Sequence, residues 1–244
     1  MLSHSQRLRS ILNLTEKRLA ALIHQVWFHP RLDALYPEFL FATYGLTLAS
    51  APAMRMAATL CRQKAESDPL HRWLMDYYLE HAEEEDGHAD WLLEDLASLG
   101  IPRERVIQRL PYTGVATLVG AQYYWMQHVH PIAYLGYIAV IETPAQVDLL
   151  REVSQRTGIP LSSMSCHYRH AELDPGHVAE FDAALDSLPL TPAHQELITV
   201  SAITTIGHLE RVFTDILEHF QRIDDPSTTS TIFQVSQPAT AALP

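Results

Sequence analysis

The stretch His170-Ala171-Glu172-Leu173-Asp174-Pro175-Gly176-His177 places two imidazoles and a carboxylate four and three residues apart. On a helix of 3.6 residues per turn those three side chains fall within roughly 60° of one face. Imidazole and carboxylate donors together suit iron, manganese or zinc. A second stripe, His81, Glu84, Glu85 and His88, has similar spacing. Two such stripes in one small helical domain imply a metal site between helices.

Working outward from these stripes, the apolar periodicity is helical almost throughout. No alternating strand and no Asn-Gly or Asp-Gly hairpin stands out. A first helix is predicted from about Ser5 to Phe28, stopped by His29-Pro30. Two more are expected over Pro37–Leu48 and from Ala51-Pro52 to before Ser67, each opened by its proline. A long fourth helix is expected over Leu70–Leu99, ended by Gly100-Ile101-Pro102. Further helices follow over Thr113–Val129, in the apolar run to Glu142, from an N-cap at Thr143-Pro144 to near Gly158, over Leu161–Leu188, and from Thr191-Pro192 to near Phe220. The fold class is all-α, a single-domain bundle of seven to nine helices over residues 1–222. The polar, aperiodic residues 223–244 are expected to form a mobile tail. Pro175-Gly176 inside the ligand stripe predicts a kink or partial unwinding there.

Helix phase tests whether the charged stripes face solvent. On the fourth helix, steps of three or four from Tyr77 lead through His81, Glu84 or Glu85 and His88 to Leu92. The titratable residues therefore continue the apolar stripe. Asp76, Glu83, Asp86 and Asp90 take the outward face. Downstream, Leu161, Met164, Val178, Phe181 and Leu185 mark the inner side, close to His170, Asp174 and His177. Glu142 ends the run Tyr134–Ile141, where a lone carboxylate is costly unless paired or metal-bound. Buried ions without partners cost several kcal/mol each, so coordination of a metal is the economical resolution.

Composition narrows the function class. The chain has 244 residues, 47% of them hydrophobic, enough for one large domain with a sizeable core. With 17 Lys plus Arg against 29 Asp plus Glu, the formal charge is -12, which argues against nucleic acid. Bound cations would offset part of that acidity. Cys61 and Cys166 form no CxxC pair and are read as free, buried thiols in a reducing cytoplasm. Residues 1–12 lack the pattern of a signal peptide, and no run approaches the roughly 18 apolar residues of a membrane span.

These motifs resemble the haem-oxygenase-like non-haem di-iron oxidases and oxygenases. The resemblance covers roughly residues 15–220 and is carried by Glu85-x-x-His88, Glu142, and His170-x-x-x-Asp174-x-x-His177. It implies a haem-oxygenase-like bundle and a metal set of Glu85, His88, Glu142, His170, Asp174 and His177. Its acidic ligand on the first helix is placed either three or seven residues before the His; seven before His88 is His81, not a carboxylate. Glu84 is therefore an alternative to Glu85, and His81 either supports the ligands or binds as a nitrogen donor. Ferritin-like proteins use two Glu-x-x-His motifs, and this chain has one. The thiaminase-like and pyrroloquinoline-quinone-synthase-like branches share the fold without the di-iron set. His24 is offered as the proximal histidine of a haem oxygenase and read instead as a packed residue.

The resemblance implies two Fe2+ ions, with Mn as a substitute, and O2 as co-substrate. One ion would take Glu85, His88 and His170, the other Asp174 and His177, with Glu142 bridging. The implied reactions are decarboxylative desaturation of fatty acids, N-oxygenation of amines, and carbon–carbon cleavage of amino acids. A small amino-acid-, amine- or fatty-acid-like substrate in natural-product biosynthesis is expected, with a lean toward nitrogen-containing molecules. Tyr123, Tyr124, Trp125, Tyr134, Tyr137 and Tyr168 are candidates for a pocket wall, Arg169 for a substrate carboxylate, and His128, His130, His167 and His208 for ligand orientation. No nucleic-acid or membrane partner is expected, and a homodimer is left open. Two other classes stay open: a cofactor-free oxidase or hydrolase on the same fold, and a non-catalytic binding protein with a structural metal.

Overall fold

The computed structural model describes residues 2–142 and 146–224, the side chains of 172–175, 177, 223 and 224 apart. Among the described residues every regular element is helical. The α-helices are α1 (His4–Thr15), α2 (Lys17–Trp27), α3 (Leu32–Arg62), α4 (Pro69–Glu84), α5 (His88–Ser98), α6 (Arg103–Ile107), α7 (Thr113–His128), α8 (Tyr134–Ile141), α9 (Val147–Thr157), α10 (Ser165–Ser187) and α11 (Pro192–Asp224). Helix α3 is central and packs on α4, α5, α7 and α11, while α11 also crosses α8 and α2. A close crossing is made at Gly136 of α8. A Cβ there would stand 2.3 Å from the Ile198 carbonyl oxygen and 2.8 Å from the Ala202 nitrogen, so only glycine lets α8 lie this near α11.

The core is one cluster. Tyr36, Tyr78, Tyr134, Leu35, Leu74 and Leu118 are among its fully buried members, each worth roughly 1.5–3 kcal/mol of transfer free energy for an aliphatic side chain. Tyr78 meets the need of its buried hydroxyl by donating to the Pro131 carbonyl at 2.9 Å.

Four expectations about the elements are corrected. The first helix is two, α1 and α2, divided at Glu16, whose N–H still bonds to the Leu12 carbonyl at 2.9 Å. The two proline-opened helices are one, because α3 carries both Pro37 and Pro52 inside it. Pro52 denies a donor to the carbonyl of Leu48, and Leu48 is exposed, so that carbonyl lies on the solvent side where the loss costs least. The long fourth helix is broken between α4 and α5, at the ligand stripe itself. Helix α10 is assigned as continuous α-helix through Pro175 and Gly176, so the expected unwinding is not seen in its backbone. The N-cap assigned to Thr143-Pro144 and most of the expected tail lie outside the described residues. No described helix is long and apolar enough to cross a membrane.

Candidate metal centre

The break in the fourth helix builds one side of the site. Glu85 caps α4, its N–H bonded to the His81 carbonyl at 3.0 Å. Gly87 then turns the chain at φ +88°, in the left-handed region, and His88 begins α5. Across this turn Glu85 Oε2 lies 3.3 Å from His88 Nδ1. His170 comes in from α10, its ring edge-on to that of His88 with centroids 4.9 Å apart. One donor atom from each of Glu85, His88 and His170 lies within 4.8 Å of the other two, a spacing that one ion can bridge. Trp91 stacks on His88 at 4.0 Å, and the Arg169 guanidinium lies over the Trp91 ring at 4.6 Å. Trp91 was legible as the residue one turn beyond His88, but its apolar character concealed the role.

A second group adjoins the first. His81, in the last turn of α4, brings Nε2 to 2.5 Å from Glu142 Oε1, and its Nδ1 stands 3.6 Å from Glu84 Oε2. His81 and His88 are buried, Glu85 and Glu142 nearly so, and Glu84 is half exposed. Asp76, Glu83, Asp86 and Asp90 are exposed, as helix phase predicts. Leu161 is exposed as well, against expectation, because it sits in a short 3-10 turn ahead of α10 and not in the helix. The structure therefore joins Glu85, His88 and His170, and sets His81 and Glu142 together beside them. The side chains of Asp174 and His177 lie outside the described residues.

Among the described residues, His88 Nδ1 and both Glu142 carboxylate oxygens are buried without a well-angled hydrogen bond, although each has an oppositely charged neighbour close by. Such incompletely satisfied donor atoms are what a cation would satisfy. The donor set, imidazoles and carboxylates without thiolate, fits iron or manganese. Burial alone would raise the Glu85 pKa, but the adjacent His88, with His170 and His81, holds it below the usual carboxylate range. For His81 burial acts downward, and the carboxylates of Glu142, Glu85 and Glu84 outweigh it and raise its pKa. Glu85 is thus kept in the ionised form that a metal needs.

Helix α10 is fixed against α5 by a buried carboxylate that the sequence reading did not single out. Asp95 is fully buried and accepts from Ser165 N at 3.0 Å, Ser165 Oγ at 2.6 Å and Cys166 N at 3.0 Å. It lies two turns beyond His88 and holds the first turn of the helix that carries His170.

A cavity of about 240 Å³ opens beside these groups. His81, Glu85, Glu142 and His170 form one wall, and the rest is mostly apolar residues of α3, α8 and α11, with Thr43, Thr47 and Ser50 of α3 and Cys166 and His167 of α10 among them. Among its described lining residues none is Lys or Arg. Of the aromatic candidates only Tyr137 lines it; Tyr124 is 59% exposed. Of the remaining histidines only His167 lines it. His130 packs against His71 and His194, away from the cavity. His24 is exposed and stacks on Phe28.

The profile of a family described as iron-containing redox enzyme matches residues 37–206, a span that holds all six candidate ligands. The chain belongs to this family. Among solved structures, this iron-containing redox enzyme family member is similar to a domain of unknown function with a haem-oxygenase-like fold from Shewanella denitrificans OS217, at 22% identity and a TM-score of 0.74, over 94% of this chain and 95% of that one. It is also similar to a TenA homologue from Pseudomonas syringae pv. tomato DC3000, at 14% identity and a TM-score of 0.64, over 87% of this chain and 92% of that one. These likenesses give the fold: all-α, haem-oxygenase-like. No curated protein matches the chain.

Proposed function

We propose that this chain is a non-haem di-iron enzyme that uses O2 to oxidise a small metabolite, in a biosynthetic pathway. The observation that carries the reading is the convergence of Glu85, His88 and His170 from three chain segments on one buried point, beside the buried His81–Glu142 pair. In this reading Glu85, His88 and His170 hold one ion. Glu142 and His81 face the second position, with Asp174 and His177 as its further ligands. The iron, when bound, supplies the binding and reduction of dioxygen.

The protein's own contribution is placement. Asp95 sets the register of α10 against α5, and Trp91 fixes the plane of the His88 ring. The apolar walls of the cavity keep water from the reacting end. The lining favours an amine over a carboxylate as the substrate's polar end. None of the described lining residues is a Lys or Arg that would pair with a carboxylate, and Glu80, Glu84 and Glu180 line a neighbouring hollow that shares His81 and Glu142.

Anaerobic loading with Fe(II), followed by rapid mixing with oxygenated buffer, tests the reading. The expected result is tight binding of iron and oxygen consumption that accelerates with one member of an amine panel. Failure to retain iron or manganese after anaerobic reconstitution would overturn the metal reading. Full activity after exhaustive chelation would point to a cofactor-free enzyme, and iron binding without oxygen consumption to a structural metal.

A further inference from the structure

The cavity beside the candidate metal centre ends on a wall of three rings. Phe39 from α3 stacks on His167 from α10, with centroids 5.3 Å apart and planes inclined by 24°. Phe213 from α11 approaches Phe39 at 6.0 Å. Beyond the wall lies a larger groove of about 810 Å³ between α1, α2, α9 and α11, with Leu19, Ile23, Leu150 and Ile206 among its apolar residues. Phe39, His167 and Phe213 line both spaces, together with Ile141, Glu142 and Leu209. The wall is supported from the groove side. Trp27 packs edge-on to Phe39 at 5.3 Å and to His167 at 5.8 Å, and the Tyr36 hydroxyl stands 3.4 Å from His167 Nδ1.

We propose that Phe39, braced by His167 and Phe213, sets how far an apolar substrate chain extends from the metal centre. The chain fills the inner cavity and stops at these rings. Removal of a wall ring, Phe39 above all, joins the outer groove to the inner cavity. The inference rests on the reading of Glu85, His88 and His170 as the reacting end of that cavity.

The physics is that of a largely apolar slot stopped at one end. Each methylene that finds room inside raises affinity by roughly fourfold. The first that does not fit must displace rings braced by Trp27 and Tyr36, and overpacking of that kind is unfavourable. Affinity along a homologous series therefore climbs and then breaks. Exchange of Phe39 for alanine trades the stop for a passage into further apolar space, so the break moves to longer chains.

The test uses straight-chain primary amines and the matching primary alcohols, titrated calorimetrically into the full chain, metal-free and Fe(II)-loaded under anaerobic conditions. The wild type is expected to show the break at the same chain length in both series. Phe39→Ala is expected to shift it to longer chains, while affinities for the shorter members stay within about threefold. Phe213→Ala and Phe39→Leu repeat the measurement should Phe39→Ala fold poorly. Leu74→Ala, a buried core change away from both cavities, is expected to leave the break where it is. An unchanged break in all three wall variants, or no binding of either series to the wild type, overturns the proposal. A shifted break in a protein that binds no iron preserves the wall and overturns the metal reading alone.

Discussion

The Asp95 carboxylate accepts the backbone N–H of Cys166 at 3.0 Å, and so ties the helix that begins at His88 to the helix that presents His170. The two rings meet at 4.9 Å because the helices beneath them share this buried clasp. A carboxylate held by several N–H and O–H groups at a helix start gains from both hydrogen bonds and the helix dipole.

Asp95→Asn replaces one acceptor oxygen by a donor and removes the charge. The variant is expected to lose about 2 kcal/mol of stability and, through the misplacement of His170, roughly 10–100-fold in metal affinity. Asp215→Asn is the comparison, because Asp215 accepts from Gly114 N at 2.7 Å near the start of α7 and does not line the cavity. Equal loss of stability with unchanged metal affinity is expected there. Denaturant melts and anaerobic Co(II) titrations with the visible spectrum as readout measure both quantities. Equal metal affinities for Asp95→Asn and wild type would remove Asp95 from the account.

Glu85→Gln and His88→Ala separate ligation from folding. In metal-free protein, removal of one member of a crowded set of partly unsatisfied polar groups is expected to change the melting temperature little, or to raise it. The rise in melting temperature that Fe(II) or Mn(II) gives the wild type by binding the folded state is expected to vanish in both variants. Differential scanning calorimetry with and without metal reads the two effects independently.

The acid limb of stability has a definite sign. Burial, reinforced by the charge of His170, pushes the His167 pKa from 6.5 down to about 4. Burial, reinforced by His71 and His194, does the same for His130. Between these values the unfolded chain takes up protons that the folded chain refuses, so stability falls as pH drops from about 6.5 toward 4. His167→Phe keeps the ring stack on Phe39 and is expected to flatten this limb. Urea midpoints at intervals across that range are the measurement, and an equally steep limb in the variant would assign the effect elsewhere.

Gly136→Ala is expected to destabilise by roughly 1–3 kcal/mol through a clash with the α11 backbone. Gly87→Ala meets open space but must adopt φ +88°, at a cost of about 1 kcal/mol. The second, smaller loss of stability is expected to carry the larger loss of metal affinity, because Gly87 sets the angle between Glu85 and His88. Chemical denaturation paired with metal titration checks this inversion.

Periodicity made the all-helical bundle legible, and helix phase placed His81, His88 and Glu85 inward with Asp76, Glu83, Asp86 and Asp90 outward. Breaks inside helices were less visible. Gly87 stops a helix although apolar residues keep phase on both sides, while Pro52 does not stop one, since its unpaired carbonyl lies on the solvent side. Those outcomes depend on tertiary position, which spacing along the chain does not encode. The pairing of His81 with Glu142 brings together groups far apart in sequence, and the Phe39 wall joins helices from opposite ends of the chain. Asp95 read as one more acidic residue of an acidic chain, because its partners are backbone N–H groups with no signature of their own.

The most direct measurement is an anomalous difference map at the iron edge, from crystals of the anaerobically Fe(II)-loaded protein. The account predicts a peak within coordination distance of Glu85, His88 and His170, and a second beside Glu142. Loaded crystals with no iron peak at the triad, or with iron bound only at surface carboxylates, would contradict it.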